Sequence, residues 1–285
     1  MLISEARTGT EGRPEFNKLS LVRVPLRLGF DVFETKSISP AREEMIIKTM
    51  RAYKDLMEVY EVVSYKACAT SAMRDAVNSR EIIDKVKKEI GIDINVISGD
   101  EEATVFYHTT ITDLFDKDHA YLYIDVGGGS TELTLFNEEQ VVNKQSFNIG
   151  TIRLLKGQVE ESLWDKMKEY IKEITKGQKK VVAIGSGGNI NKVFSLSKKK
   201  DGKPLSIDLL KDYHRELGNV PVQDRMKLYN LREDRADVIV PALLIYINVM
   251  RWADADEILV PKIGLVDGLI QQLYAEVSEV NKLVS

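Results

Sequence analysis

Residues 121–132 read YLYIDVGGGSTE, and this stretch decides the fold of the second half of the chain. An apolar run ends at Asp125, three glycines follow, and Ser130–Glu132 open a further apolar run. Glycines let a backbone turn sharply and approach a ligand without Cβ clashes, and successive N–H groups can form an anion-binding nest. The stretch therefore predicts a strand, a phosphate-facing turn and a second strand.

Two carboxylates, Asp125 and Glu132, bracket this turn. Carboxylate oxygens are ligands that Mg²⁺ prefers, so the pair could hold a divalent cation beside bound phosphates. The simpler alternative is a glycine-rich hairpin with two surface carboxylates. The stretch lacks the Gly-Lys-Ser/Thr of a P-loop, and a strand rather than the helix of a dinucleotide-binding fingerprint follows it.

Three further segments offer contacts to phosphate or to water. Residues 183–189, AIGSGGN, follow an apolar run and precede a predicted helix; they would present backbone donors to phosphate, unless they form a plain loop. Arg74 follows a predicted strand and could grip phosphate with two bonds, or could pair with Asp75 on the surface. In residues 97–103, ISGDEEA, acidic groups complement a helix dipole, but one carboxylate could orient an attacking water.

Apolar spacing predicts alternating strands and helices along the chain. The strands are predicted at 19–26, 62–68, 92–97, 120–125, 130–136, 140–148, 180–184 and 257–260, with those between 120 and 148 forming an antiparallel meander. The helices are predicted from Ser39-Pro40, from Ser79 as N-cap to Gly91, over Asp100–Thr112, at about 161–176, 206–217, 221–229 and 234–253, and from Gly264. A polar stretch at 113–119 marks the expected domain boundary.

The length, composition and charge of the chain exclude several classes of protein. The 285 residues suggest about two domains, and 44% apolar with 29% charged residues excludes disordered and collagen-like chains. A net charge of −4 argues against a globally basic nucleic-acid binder. One cysteine cannot form an internal disulfide, and no apolar run approaches the roughly 20 residues of a membrane span. With no signal-peptide pattern at its start, the sequence predicts a cytoplasmic protein that binds neither membranes nor specific nucleic-acid sequences.

Five segments occur in the order of one known family: ATSAMRDAVN, ISGDEEA, YIDVGGGSTEL, AIGSGGN and RADVIVPA. They resemble the exopolyphosphatase / guanosine pentaphosphate phosphatase (Ppx/GppA) family in its short, two-domain form, over about Leu19 to Leu273. The resemblance implies an α/β fold of two actin-like (ribonuclease H-like) domains, at 1–117 and 118–273, with an interdomain cleft, and with 274–285 completing the first domain. It also implies a homodimer that uses Mg²⁺ to hydrolyse terminal phosphoanhydrides of polyphosphate or of guanosine penta/tetraphosphate.

The resemblance implies roles for individual residues. Glu102 matches the family's general base, and Arg74 matches the arginine that grips phosphate. Asp125 and Glu132 match the carboxylates beside the metal. The residues expected to bind substrate are Gly127, Gly128, Gly129, Ser130, Thr131, Gly187, Gly188 and Asn189, and Arg27-Leu28-Gly29 resembles a segment near the substrate channel.

The sequence departs from the family in two places. It has no His-Asp dipeptide of the longer members, and Met1–Ser4 fits the end of the family's second strand. The first strand and its Asp-x-Gly-Ser-Asn loop are therefore expected to be absent from the first domain, through a late start codon or a natural truncation. Two other functions stay open: a small-molecule kinase of the same actin-like superfamily, and a polyphosphate or (p)ppGpp sensor that binds without cleaving.

Overall fold

Residues 1–9, 14–99, 101–102, 105, 116–138, 140–261 and 264–284 are described by a computed structural model of the chain. The chain divides into two units. The first comprises Met1–Ser98, Thr104–Thr109 and Leu265–Ser285, and the second comprises Gly99–Ala103 and Thr110–Gly264. The chain returns to the first unit at Leu265, earlier than the sequence suggested.

Strands and helices occur in both units, and the predicted α/β class is confirmed. The strands are β1 (Leu2–Thr8), β2 (Pro14–Leu21), β3 (Ala67–Ala69), β4 (Ile94–Val96), β5 (His119–Val126), β6 (Thr131–Asn137), β7 (Gln140–Phe147), β8 (Lys180–Ser186), β9 (Leu205–Ser206) and β10 (Glu257–Leu259). The helices are α1 (Gly29–Thr35), α2 (Pro40–Val59), α3 (Ser71–Asp75), α4 (Ser79–Ile90), α5 (Thr151–Leu155), α6 (Glu161–Thr175), α7 (Gly188–Ser197), α8 (Ile207–Gly218), α9 (Val222–Leu228), α10 (Glu233–Ala236), α11 (Ile239–Trp252) and α12 (Leu265–Val284).

The described part of the first unit holds two separate two-stranded sheets. β1 pairs with β2 in antiparallel register, and β3 pairs with β4 in parallel. The strands predicted at 19–26 and 62–68 are corrected to β2 and β3. Pairing with β1 sets the bounds of β2, whereas the apolar run before β3 is not a buried strand, since Val63 is 97% exposed.

The helices of the first unit follow their predicted signals. α2 begins at Pro40, because proline lacks an N–H that a first helical turn does not need. α4 ends before Gly91, which takes the left-handed conformation with φ 79°. Asn78 rather than Ser79 takes the cap position of α4, and its side-chain amide exchanges two hydrogen bonds with the backbone of Ile38. The helix predicted over 100–112 lies mostly outside the described residues.

The second unit is built on one six-stranded sheet in the order β7-β6-β5-β8-β10-β9. β5, β6 and β7 form the predicted antiparallel meander, and β5 also pairs in parallel with β8. β5 is thus a central strand, and its residues Leu122 and Ile124 are fully buried. The segment of 121–132 therefore projects its glycine turn from the carboxyl end of a strand that the sheet fixes on both sides.

The predicted helix at 234–253 is two helices, α10 and α11. Pro241 lies in the first turn of α11, where a missing N–H is tolerated, and the helix restarts just ahead of it. α11 packs against α6 and β5 and carries a largely buried, apolar sequence. Among the described helices, none is both long and apolar enough to cross a membrane.

Candidate active site

Asp125 and Glu132 lie opposite each other on neighbouring strands. The register of β5 and β6 pairs them at the ends that the glycine turn joins. Glu132 is 2% exposed, and Asp125 is partly buried. Desolvation, followed by repulsion from Glu132, raises the pKa of Asp125 to about 7. Two carboxylates held together where water is scarce favour a cation beside them.

Two tyrosine hydroxyls accompany the carboxylate pair. Tyr123 Oη donates to Asp125 Oδ2 at 3.4 Å. Tyr246 Oη donates to the carbonyl of Ser186, which the register of β5 and β8 pairs with Asp125. Burial raises the pKa of both Tyr123 and Tyr246 well above the usual value, so both hydroxyls stay protonated and act as donors.

The first glycine turn is fixed through its carbonyl groups. The carbonyls of Gly127, Gly128 and Gly129 accept hydrogen bonds of 3.0, 2.9 and 2.8 Å from three successive residues of α5. These bonds hold the turn without using the N–H groups of Gly128 and Gly129. Such N–H groups are the donors that an anion-binding turn presents to phosphate.

The glycines of this turn serve close packing rather than an unusual backbone conformation. Gly127–Gly129 have no positive φ, so the sharp left-handed turn that glycine permits is not why they are needed. A Cβ on Gly128 would lie 3.0 Å from Ile152 Cδ1. Gly150 packs so closely on the carbonyl of Gly128 that no side chain fits there. Sequence analysis missed Gly150, because an isolated glycine gives no sign of what it packs against.

Ser130 and Thr131, both expected to contact phosphate, are buried. Thr131 Oγ1 donates to the carbonyl of Ile149 at 2.6 Å. Its hydroxyl therefore holds the backbone that leads into α5, which is a supporting position rather than the expected contact with a ligand.

The second glycine turn lies beside Asp125. Gly187 has φ 105° and ψ 157°, a conformation that is essentially restricted to glycine. A Cβ at Gly187 would lie 3.3 Å from Asp125 Oδ1. α7 begins at Gly188, directly after Gly187, so the helix predicted after the turn is confirmed.

Arg235 is a cation at this turn that sequence analysis did not single out. Its guanidinium packs on Gly188 and leaves no space for a Cβ there, and its Nη1 donates to Asn189 Oδ1 at 3.2 Å. Its only sequence signal is the family-like segment RADVIVPA, which gives no indication of the contact. The turn thus combines a helix N-terminus with a positive charge, and both favour an anion.

The segment that carries Glu102 begins beside Ser146, a hydrogen-bond partner of Glu132. Gly99 packs on Ser146, whose Oγ donates to Glu132 Oε1 at 2.9 Å, and a Cβ on Gly99 would lie 3.9 Å from the same oxygen. Residues 101 and 102 are helical, and Glu102 is partly exposed. Gly99, three residues before the predicted general base, therefore packs on the serine that donates to Glu132.

Arg74 lies in the first unit, in the last turn of α3. Its Nη1 donates to the carbonyl of Ile97 at 2.7 Å. Because Ile97 directly precedes the segment 98–102, this bond ties the chain after β3 to the chain that leads to Glu102.

Asp125 and Glu132 suit a magnesium ion. In the described part of the chain, no group of three or more His, Cys, Asp or Glu side chains could hold a metal. Mg²⁺ does not need such a cage, because it keeps several waters and binds one or two carboxylates together with substrate phosphates. The paired carboxylates repel each other, and a divalent cation would relieve this repulsion.

Comparison with known proteins shows which family the sequence matches. Residues 6–276 match the Ppx/GppA phosphatase family. The bifunctional 3-dehydroquinate synthase/phosphatase of Fusobacterium nucleatum is 30% identical over 262 residues, which are 82% of this chain and 39% of that protein. Exopolyphosphatase 2 of Mycobacterium tuberculosis is 31% identical over 163 residues, which are 54% of this chain and 49% of that protein. The chain thus spans from about two fifths to one half of the length of these relatives.

Two solved structures have folds that superpose on almost the whole chain. A crystal structure of the Aquifex aeolicus Ppx/GppA family member is 26% identical, with a TM-score of 0.73, over 98% of this chain and 94% of its own. An exopolyphosphatase of Cytophaga hutchinsonii is 24% identical, with a TM-score of 0.80, over 96% of this chain and 94% of its own. The α/β fold of two actin-like domains is thereby confirmed.

Proposed function

The chain belongs to the Ppx/GppA phosphatase family, and from this premise we propose that it hydrolyses the terminal phosphoanhydride bond of inorganic polyphosphate or of pppGpp. The observation that supports the proposal most is the meeting of three features at the carboxyl edge of one sheet. These are the paired carboxylates, the glycine turn before β6 and the glycine turn before α7. Phosphoryl transfer needs such positioning and charge neutralisation more than covalent catalysis.

Phosphate binding would use backbone donors and arginines. The N–H groups of the Gly128–Gly129 turn and of the start of α7 are suited to phosphate oxygens. Arg74 would add a bidentate grip, as the family resemblance implies. Arg235 lies on the second glycine turn and would add charge there. Polyphosphate and pppGpp present the same terminal anhydride to these groups, so both are included as substrates.

Asp125 and Glu132 would hold Mg²⁺, which when bound supplies neutralisation of the charge that develops on the phosphate oxygens. Glu102 would accept a proton from water, and the water oxygen would form a bond to the terminal phosphorus. The bond from this phosphorus to the bridging oxygen breaks, which releases orthophosphate and a chain shorter by one phosphate. Tyr123, which donates to Asp125, would keep that carboxylate oriented.

The test compares Glu102→Gln with Glu101→Gln, a matched neighbour with no proposed catalytic role. Loss of a positioned base costs about 10²–10⁴-fold in rate, so Glu102→Gln should release phosphate that much more slowly from polyphosphate and from pppGpp. Calorimetry should show unchanged substrate binding, and Glu101→Gln should keep the parent rate. Equal rates for the two variants would contradict the role of Glu102.

A second candidate is a sensor that binds polyphosphate or (p)ppGpp without cleaving it. It is favoured by one observation, the division of the described first-unit strands into two sheets, which could leave a phosphate site incomplete. Substrate binding without phosphate release at saturating Mg²⁺ would support the sensor and contradict the hydrolase. The same preparation, measured by light scattering, tests the further proposal that the protein is a homodimer.

A further inference from the structure

Tyr246 is a buried tyrosine whose hydroxyl the proposed function does not use. It lies in α11 and is 1% exposed. α11 packs against β5, the strand that leads into the first glycine turn, and against α7, the helix that begins at the second glycine turn. Tyr246 therefore belongs to the helix that contacts both parts of the candidate site within the second unit.

The hydroxyl of Tyr246 joins the ends of β5 and β8. Its Oη donates to the carbonyl of Ser186, the last residue of β8. Burial raises the pKa of Tyr246, and a hydrogen bond with the backbone of Val126, the last residue of β5, acts against this rise. One hydroxyl thus contacts the residue that immediately precedes each of the two glycine turns.

Strand pairing stops at the point where this hydroxyl lies. The register of β5 with β8 ends at the pair of Asp125 and Ser186. Val126 pairs instead with Thr131 of β6, and Gly187 leaves β8 and is followed by α7. The two backbones diverge beyond Asp125 and Ser186, so the hydroxyl of Tyr246 connects them where the parallel ladder no longer does.

The second glycine turn lies in contact with this junction. A Cβ on Gly187 would lie 3.3 Å from Asp125 Oδ1, 3.4 Å from the carbonyl oxygen of Val126 and 3.7 Å from Tyr246 Oη. The carboxylate, the end of β5 and the tyrosine hydroxyl therefore meet at one residue of the turn. A shift of Gly187 against Val126 would move the second turn relative to the carboxylate that is proposed to hold the metal.

We propose that Tyr246 is a positioning residue for phosphate hydrolysis, whose hydroxyl fixes the spacing of the two glycine turns and thereby the place of the terminal phosphate beside Asp125. This inference rests on the proposed function. A phenylalanine at 246 would fill the same space in α11, so packing alone does not require the hydroxyl. Small displacements matter in such a site, because misplacing the reacting groups by about 1 Å can cost about 10²-fold in rate.

The test compares Tyr246→Phe with Val249→Ala, which removes two methyl groups from a fully buried position of the same helix. Tyr246→Phe should lower kcat for phosphate release from polyphosphate by about 10²-fold and leave KM nearly unchanged. KM should hold because Arg74, Arg235 and the first glycine turn would still bind the phosphate chain. Val249→Ala should lower the urea midpoint at least as much, because it leaves a cavity in the core, and should keep the parent kcat.

Hydrogen exchange gives a second readout that does not need activity. The N–H of Gly127 donates to the carbonyl of Ser130 at 2.9 Å, and the N–H of Asn191 donates to the carbonyl of Gly187 at 3.2 Å, so these two amides report on the two turns. In the magnesium-free protein, both should exchange about tenfold faster in Tyr246→Phe than in the parent, because local opening sets the rate.

The outcomes separate this inference from the proposed function. A parent protein that releases no phosphate at saturating Mg²⁺ would contradict the hydrolase, and the exchange rates would then decide whether Tyr246 fixes the turns. Parent-like kcat or parent-like exchange in Tyr246→Phe would overturn the role of the hydroxyl. An equal loss of kcat in Val249→Ala would also overturn it, because general loosening of α11 would then be the cause.

Discussion

The two units are built from similar parts and differ in whether their sheets are continuous. In the second unit, β5 joins a hairpin to a pair of parallel strands, and the described strands form one six-stranded sheet. In the described part of the first unit, an antiparallel hairpin and a parallel pair form two separate sheets, and residues of β1 and β3 line an apolar cavity. The burial of the strands follows this difference, because β5 is almost wholly buried while β1 has Ile3 buried and Ala6 and Arg7 exposed.

The comparison teaches that an apolar sequence alone does not bury a strand. Val63 belongs to an apolar run and is 97% exposed, whereas equally apolar residues of β5 and β8 are buried between strands and helices. A strand needs neighbours on both edges and layers on both faces, and the second unit provides them. Four predictions test how far this difference extends, in order of decreasing effect.

The largest effect is expected in the central strand. Leu122→Ala removes a fully buried side chain from β5 and should lower the free energy of unfolding by about 2–5 kcal/mol. Leu2→Ala, in β1 beside the cavity, should cost about 1 kcal/mol, because Leu2 is only partly buried. Urea denaturation followed by circular dichroism measures both. Equal costs would mean that β1 is as well packed in the first unit as β5 is in the second unit.

Removing the charge of Asp125 should affect activity and stability in opposite directions. Asp125→Asn should lower phosphate release by about 10²-fold or more, because a bound metal contributes several kcal/mol of charge stabilisation. Asp208→Asn, which alters an exposed carboxylate on α8, is the control and should leave the rate unchanged.

The stability arm of this prediction concerns the magnesium-free protein. The pKa of Asp125 is raised from 3.8 to about 7, so the native state binds its proton more tightly than the unfolded state does. The parent protein should therefore lose stability relative to Asp125→Asn as pH rises from 3.8 to about 7. Thermal unfolding in a chelator at several pH values measures it, and parallel curves for the two proteins would contradict the raised pKa.

The second glycine turn should tolerate a side chain poorly. Gly187→Ala places a Cβ in a backbone region that is essentially restricted to glycine, next to Asp125, and should cost about 3 kcal/mol together with activity. Gly202→Ala, at φ 79° in open space, should cost about 1 kcal/mol and leave activity intact. An activity loss of the same size in both variants would show that proximity to Asp125 is not the cause.

The smallest effect is expected in the corrected strand. Val63→Ser should change the free energy of unfolding by less than about 0.5 kcal/mol, as surface substitutions do. Val181→Ser, at a buried position of β8, should cost about 2 kcal/mol. Denaturant titration compares the pair. A comparable cost at Val63 would restore the longer buried strand predicted from the sequence.

The sequence predicted the elements whose signals are local. Proline at the start of α2, glycine after α4 and the tight turns of the meander each act within a few residues, and each prediction was confirmed. The strands at 62–68 and 19–26 were misplaced, because strand bounds depend on a partner elsewhere in the chain. The split of the helix at 234–253 was also missed, although Pro241 was a visible signal.

For the candidate site, the sequence by itself determined which chemical groups are present. It also determined the pairing of Asp125 with Glu132, because a tight turn between antiparallel strands sets that register locally. Only the tertiary structure decided that Gly187 lies beside Asp125, that Gly150 packs on the first turn and that Arg235 reaches Asn189. These contacts join residues far apart in the chain, through parallel strand pairing and helix packing. Such non-local choices minimise the free energy of the whole unit and leave no pattern in a short stretch of sequence.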